Sequence, residues 1–204
     1  MLNYTYGTNG LKVDIPRIIN YIDKEIMKGD IAEAKLFNPD FIIANMHWGL
    51  EYERIPSREQ RELADWLLRQ GVDLVIGSHP HVVQPMELRR GKEGVTDRLV
   101  VYSLGNFISN MSREHTDGGV MVKVVLGRKG LRRYIVSAQY SLIYSSRYKN
   151  EQGKEDIRVV PAASWLGKNQ NSSFSVDSAL IKYVNNTRLF LKGNNKEVEE
   201  YIFE

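Results

Sequence analysis

Three of the chain's four histidines lie directly after apolar segments that are typical of buried strands. His47 follows the apolar run of residues 40–46, and His79 and His81 follow the run of residues 72–76. Ligands of open α/β sheets gather just beyond the carboxyl ends of the strands. Two neighbouring strands would therefore deliver three imidazoles to one edge of a sheet. Neutral imidazole is a common metal ligand, so the pattern indicates a metal site.

The proline between the last two histidines restricts the local backbone. Because proline fixes its own φ and disfavours the helical region for the residue before it, we expect His79-Pro80-His81 to run extended. Alternate side chains of an extended chain point to the same side, about 6–7 Å apart. Two imidazoles so placed could each take one ion of a pair separated by about 3.5–4 Å. They could instead chelate one ion if the loop curls, and ordinary hydrogen-bonded histidines remain the rival interpretation.

The histidines belong to two of three motifs that follow one another along the chain. In order, the motifs are Met46-His47-Trp48-Gly49-Leu50-Glu51-Tyr52, Gly77-Ser78-His79-Pro80-His81-Val82-Val83-Gln84-Pro85 and Tyr102-Ser103-Leu104-Gly105-Asn106-Phe107. Taken together, these motifs resemble the bacterial capsule synthesis family (CapA, or poly-gamma-glutamate synthesis, PGA_cap), which is related to the calcineurin-like metallophosphatases. The resemblance extends from about Tyr4 to Leu126, so the chain looks like the C-terminal part of such a protein.

The resemblance implies a site for two divalent ions, with Mn, Fe or Zn as the candidates. His47 and His79 would bind one ion and His81 the other, while Glu51 and Asn106 would support the ligands or contact substrate. No catalytic residue is assigned. The family's early Gly-Asp and Asn-Asn-His motifs, which supply bridging carboxylates, are not found before His47. We therefore expect metal binding by this chain to be weak or absent.

The resemblance also implies a role in making or anchoring an anionic capsule polymer such as poly-gamma-glutamate. It places the parent protein at the cell surface or in the periplasm. With the upstream half present, the chemistry would be metal-assisted hydrolysis or transfer at a phosphoester or acyl centre, as in metallophosphoesterases. Two alternatives stay open: a non-catalytic scaffold for polymer assembly, and a mononuclear three-histidine zinc hydrolase. The expected partner is an anionic polymer or a phosphoester substrate.

The elements that must position these residues follow from periodicity and turn signals. Asp23 caps one predicted helix, and Ser57 opens a second that ends at Gly71. The second helix joins two buried strands, which predicts a βαβ crossover with parallel pairing. Residues 4–10 are interpreted as an aromatic segment followed by a turn. Further strands are predicted at 98–104, 119–126, 131–144 and 157–160, with a hairpin turn at 127–130 and helices at 176–191 and from Glu197.

We predict the α/β (α+β) class: a partial metallophosphatase-like β-sandwich flanked by helices, with its N-terminal portion missing. Residues 1–145 would form the C-terminal part of the metallophosphatase-like domain, and residues 146–204 a partly helical, family-variable extension. An incomplete sheet would be exposed or would pair with a neighbouring chain, so a homo-oligomer is an expected partner.

Composition narrows the function classes. Hydrophobic residues make up 42% and charged residues 26% of the 204, which is ordinary for a globular protein. The net charge of +3 comes from interspersed charges without a basic stripe, which argues against nucleic-acid binding. The absence of cysteine excludes disulfides, thiolate zinc sites and a cysteine nucleophile. No apolar run reaches the length of about 18 residues that a transmembrane segment needs.

Overall fold

The computed structural model describes residues 1–91, 97–169 and 178–202. Within these residues the chain forms two β-sheets and four helices, which confirms the predicted mixed α/β class. Among the described residues, none of the helices combines the length and the apolar character that crossing a bilayer requires.

The first sheet has five strands, and the predicted site lies at the carboxyl ends of two of its parallel strands. Three neighbouring strands, β1, β2 and β3, run parallel, as does β5, while β4 is antiparallel to β5. In spatial order these strands are β1 (Leu2–Thr5), β2 (Ile43–His47), β3 (Leu74–Ser78), β5 (Arg98–Val101) and β4 (Met86–Arg89).

Two helices connect the parallel strands and are capped as the sequence predicts. In α1 (Lys24–Leu36) the Asp23 carboxylate accepts hydrogen bonds from two backbone N–H groups of the first turn. In α2 (Arg58–Gln70) Ser57 forms a reciprocal capping box with Gln60, and Gly71 ends the helix with a φ of 97°. The predicted βαβ crossover is therefore confirmed. Met27, Ile31, Ala64 and Leu67 pack from these helices against one face of the first sheet.

The second sheet is antiparallel and packs on the opposite face of the first. Its members are β6 (Gly118–Lys129), β7 (Arg132–Lys149), β8 (Glu155–Pro161) and the short β9 (Glu199–Glu200), which runs parallel to β7. Two helices, α3 (Ala162–Asn169) and α4 (Ser178–Asn194), accompany it. The core between the sheets includes Leu99, Val101, Val120, Leu142 and Leu191.

Several predicted elements differ from the structure because tertiary pairing overrides local signals. Residues 2–5 form a strand that pairs with β2, where the sequence suggested only an aromatic segment and a turn. The helix predicted from Glu197 is wrong, because Glu199 and Glu200 pair with β7 instead. The sequence did not predict α3 or β4. The predicted helix 176–191 is found as α4, although residues 176–177 lie outside the described residues.

The two sheets leave an apolar groove between them. The groove encloses about 480 Å³ and is lined by side chains of both sheets and of the loop after β5, among them Ile43, Ile76, Phe107, Val122 and Val124. Phe107 is 61% exposed. Apolar surface is therefore exposed at this groove, while the exposure of an incomplete sheet and its pairing with another chain stay predictions. The division of the chain into residues 1–145 and 146–204 also stays a prediction. Residue 145 lies inside strand β7.

Candidate metal centre

The structure brings the three predicted histidines together at the ends of β2 and β3. His47 is the last residue of β2 and lies in register with Ser78, the last residue of β3. The ring centroids of His47 and His79 are 4.6 Å apart, and those of His79 and His81 are 6.0 Å apart. The Tyr6 ring, which the sequence analysis did not select, lies 4.4 Å from His79. Parallel pairing thus produces the predicted cluster.

The expected extended path of His79-Pro80-His81 is wrong. His79 and His81 have φ values of 102° and 62°, so the loop curls. Proline favours extended backbone for the residue before it, so the positive φ of His79 goes against this local preference. Such a backbone costs about 1–2 kcal/mol at a non-glycine residue, so packing must hold it. The Tyr52 N–H does so by donating to the Pro80 carbonyl at 2.7 Å.

The curled loop brings several potential metal-ligand atoms close together. Ligand atoms of Glu51, His79 and His81 all lie within 4.8 Å of one another. The sequence analysis gave Glu51 only a supporting role, whereas its carboxylate lies close enough to act as a ligand itself. A curled loop is the condition under which the spacing would let His79 and His81 chelate one ion. Asn106 lies at the same site, so every sequence-predicted site residue is near the cluster.

A hydrogen-bond network sets the tautomer of His47. The Thr5 hydroxyl donates to the Gly7 carbonyl at 2.9 Å, so its lone pairs remain to accept from the imidazole. His47 Nδ1 lies 2.9 Å from Thr5 Oγ1, and with the hydroxyl donating to Gly7 the proton is assigned to Nδ1. Its Nε2 is left with the lone pair that a metal ligand needs. Thr5 was not predicted from sequence, because its contact with His47 depends on the pairing of β1 with β2.

The same logic applies to His81. The Asn106 amide donates from Nδ2 to the Thr116 carbonyl at 2.8 Å, which turns its Oδ1 toward His81. His81 Nδ1 lies 3.0 Å from that oxygen and donates to it. His81 therefore also presents an unprotonated Nε2. Asn106 was predicted to bond across the cleft, and the structure shows that it orients one of the predicted ligands.

Burial keeps two of the rings neutral. It lowers the pKa of His47 below the ordinary value of 6.5, and the nearby His81 lowers that pKa further. Burial likewise lowers the pKa of His79, with further lowering from His47, while the Glu51 carboxylate acts in the opposite direction. Metal ions bind the neutral form of imidazole, so these environments favour ligation at neutral pH.

The donor chemistry fits a divalent transition metal. Imidazole nitrogens suit Zn, Cu, Fe and Ni, and a carboxylate oxygen widens that range toward Mn. Hydrogen bonds to the other ring nitrogen are the usual support of a ligating histidine. His47 and His81 both have such support, from Thr5 and Asn106 respectively.

The glycine of the second motif is required by close packing beneath the loop. A Cβ atom at Gly77 would lie 1.9 Å from the backbone oxygen of Tyr102 and 2.5 Å from Trp48 Nε1. Trp48 is 2% exposed and donates from Nε1 to that Tyr102 oxygen at 2.9 Å. Trp48 after β2 and Tyr102 after β5 therefore pack against Gly77 of β3, next to the histidines.

These features define a two-sheet α/β protein with a histidine cluster at the carboxyl ends of adjacent parallel strands. Residues 3–111 match the family described as bacterial capsule synthesis protein PGA_cap, and the chain belongs to this family. The matched range contains every predicted site residue.

Two Bacillus proteins are similar to the chain over about half of its length. The PGA biosynthesis protein CapA of Bacillus subtilis (strain 168) is 35% identical over 115 residues, which are 56% of this chain and 28% of that protein. The capsule biosynthesis protein CapA of Bacillus anthracis is 35% identical over 107 residues, which are 52% of this chain and 24% of that protein. The aligned part thus spans about a quarter of each relative.

Proposed function

We propose that this chain acts in the biosynthesis of an anionic capsule polymer such as poly-gamma-glutamate, through a metallophosphatase-type metal site. His47, His79 and His81 would be the ligands, with Glu51 beside them. The observation that carries the proposal is the pair of contacts in which Thr5 Oγ1 lies 2.9 Å from His47 Nδ1 and Asn106 Oδ1 lies 3.0 Å from His81 Nδ1. These contacts leave both Nε2 atoms available next to His79.

The chain's own residues would position and shield the reacting groups. Thr5 and Asn106 hold the imidazole rings in place, and Tyr6 covers one side of His79. Glu51 adds negative charge that favours a cation. A divalent metal bound here would supply Lewis-acid polarisation of a phosphoryl or acyl oxygen and would lower the pKa of water. The reaction class we propose is therefore metal-assisted hydrolysis or transfer.

The number of ions separates the first proposal from its rivals. In the intact parent, His47 and His79 would hold one ion and His81 the other, with carboxylates bridging them. A mononuclear three-histidine zinc hydrolase is the second candidate; the closeness of the His79 and His81 ligand atoms supports a shared ion, but the third group beside them is Glu51 instead of His47. A non-catalytic scaffold for polymer assembly would bind no metal at the cluster.

Equilibrium dialysis against Mn²⁺, Zn²⁺ and Fe²⁺, followed by elemental analysis, tests the site. We expect weak or no metal binding by this chain alone, because Glu51 is the one carboxylate that the described residues bring to the cluster, and about one tightly bound ion per chain would support the mononuclear candidate. His79→Ala should abolish any such binding. His115→Ala is the matched control, since His115 is the remaining histidine and lies outside the cluster. Binding that survives His79→Ala, or that is lost equally in His115→Ala, would overturn the ligand assignment.

Activity is the second measurement. With Mn²⁺ added, we expect this chain alone to hydrolyse a chromogenic phosphodiester no faster than buffer, because the described residues bring a single carboxylate, that of Glu51, to the cluster. A full-length relative should hydrolyse it in a histidine-dependent manner if the dinuclear proposal is right. Robust turnover by this chain with one bound ion would instead support the mononuclear hydrolase. Absence of metal from both proteins would support the scaffold.

A further inference from the structure

A second polar pocket lies beside the imidazole cluster. It encloses about 650 Å³ between the loop of residues 110–117, strand β7 and helix α4. Three cationic side chains line it, together with two carboxylates. The cations are Arg113, Arg147 and Lys182, and the carboxylates are Glu114 and Asp117. The pocket therefore carries a positive excess.

One aromatic ring joins this pocket to the cluster. The Arg113 guanidinium carbon lies 4.0 Å from the centre of the Tyr52 ring. The other neighbour of that ring is His81, stacked at a centroid distance of 6.0 Å and an angle of 25°. The Asn106 amide, which orients His81, also donates to Thr116 in the wall loop. The Tyr52 ring thus lies between Arg113 of the pocket and His81 of the cluster.

A further arginine, Arg54, interacts with two residues that line the pocket. The Arg54 guanidinium carbon lies 3.8 Å from the centre of the Phe190 ring, and its buried Nε–H has no acceptor among the described residues. Its charge interacts with Glu114 and Tyr183, which both line the pocket. Arg54 is not among the residues that line the pocket, so its charge adds to the positive potential there without a direct contact to a ligand.

The remaining lining suits a polyamide. Met111, Tyr144 and Ala179 provide apolar surface for methylene groups, and Asn186 offers an amide for hydrogen bonding to amide groups of a ligand. Stacking uses the face of the Arg113 guanidinium and leaves its N–H donors around the rim, where they match a carboxylate. The two acidic residues of the wall make the pocket less suited to a doubly charged phosphate than to a singly charged carboxylate.

We infer that this pocket binds a carboxylate-bearing polyamide chain and so holds the anionic polymer next to the imidazole cluster. The inference rests on the proposed function, because it names the polymer subsite of the same centre. Binding in the pocket does not require a metal, since its cations are side chains of the protein.

Fluorescence anisotropy with a labelled γ-linked oligoglutamate, measured in EDTA at low salt, tests the inference. Arg113→Gln should weaken binding by about tenfold or more, because it removes a charge-assisted hydrogen-bond donor. Arg113→Lys keeps the charge but loses the planar fork, so we expect an intermediate loss. Arg58→Gln is the matched control: Arg58 is an exposed arginine of α2 that pairs with Glu62, and its removal should leave binding unchanged.

Each outcome decides one question. Oligoglutamate binding that persists in His79→Ala but falls in Arg113→Gln supports the pocket, even if the metal proposal fails. Equal affinity of wild type and Arg113→Gln, or no binding by the wild type, overturns the inference. Tighter binding of a polyphosphate of matched length would also overturn it, in favour of a phosphate site. Thermal unfolding of every variant shows whether a loss reflects misfolding.

Discussion

His81 and Asn106, which are 25 positions apart in sequence, are joined by a 3.0 Å contact between Nδ1 and Oδ1. The Asn106 amide is itself oriented by its bond to Thr116, so the contact determines which ring nitrogen of His81 carries the proton. Asn106, which belongs to the third sequence motif, thereby orients His81, which belongs to the second motif.

Asn106→Ala should weaken divalent metal binding by about 10–100-fold, the usual effect of losing the hydrogen-bond partner of a ligating histidine. The expected loss of stability is small, about 1 kcal/mol, because one or two partly buried hydrogen bonds disappear. Metal titration by calorimetry and chemical unfolding measure the two effects. Asn106→Asp retains an acceptor for His81 and should keep more of the affinity; equal loss in both variants would contradict the orienting role.

Stability without metal should fall as the pH is lowered through and below 6.5, the ordinary histidine pKa. His47, His79 and His115 have lowered pKa values in the folded chain, chiefly because of burial. In that pH range the unfolded chain binds more protons than the folded chain, so stability rises with pH and is lost as pH falls. Urea unfolding in EDTA at several pH values measures this dependence.

The double variant His47→Gln, His79→Gln provides the comparison for the pH experiment. It should show a flatter dependence over the same range, whereas Arg58→Gln, which removes no histidine, should keep the full slope. An unchanged slope in the double variant would show that these two rings are not the titrating groups.

Gly77→Ala should destabilise the fold by about 2–3 kcal/mol, as overpacking of a tight site does. The new Cβ would lie 1.9 Å from a backbone oxygen of Tyr102, so the ends of β3 and β5 must separate. Gly29→Ala is the matched control, because Gly29 lies inside α1 with nothing within 4 Å of an added Cβ. We expect that control to gain about 0.5–1 kcal/mol from helix propensity. Equal unfolding midpoints for the two variants would refute the packing argument.

The apolar groove between the sheets should promote self-association. Phe107 is 61% exposed and lines the groove, so Phe107→Ser should shift a concentration-dependent equilibrium toward the monomer. Phe37→Ser is the control, since Phe37 at the end of α1 is 80% exposed but is not among the residues that line the groove. Light scattering after size-exclusion chromatography measures the mass; a wild-type monomer at every concentration would contradict the prediction.

Short-range sequence signals were sufficient to predict the helices and strands around the site. The Asp23 cap, the Ser57 capping box and the Gly71 stop all depend on neighbouring residues, and each is found as predicted. The positions of His47 and His79 at adjacent strand ends also follow from the strand–helix–strand order, because a parallel crossover brings those ends to one edge.

The sequence by itself thus determined the caps of α1 and α2, the parallel crossover and the three histidines that cluster. Only the tertiary structure decided the curl of His79-Pro80-His81, the pairing of Thr5 with His47 and the closeness of Glu51 to the rings. These features depend on contacts between segments that are distant in sequence, such as Thr5 and His47, which are 42 positions apart. Periodicity and capping report only on neighbours within a few residues, so the tautomers and the donor geometry could not be read from them.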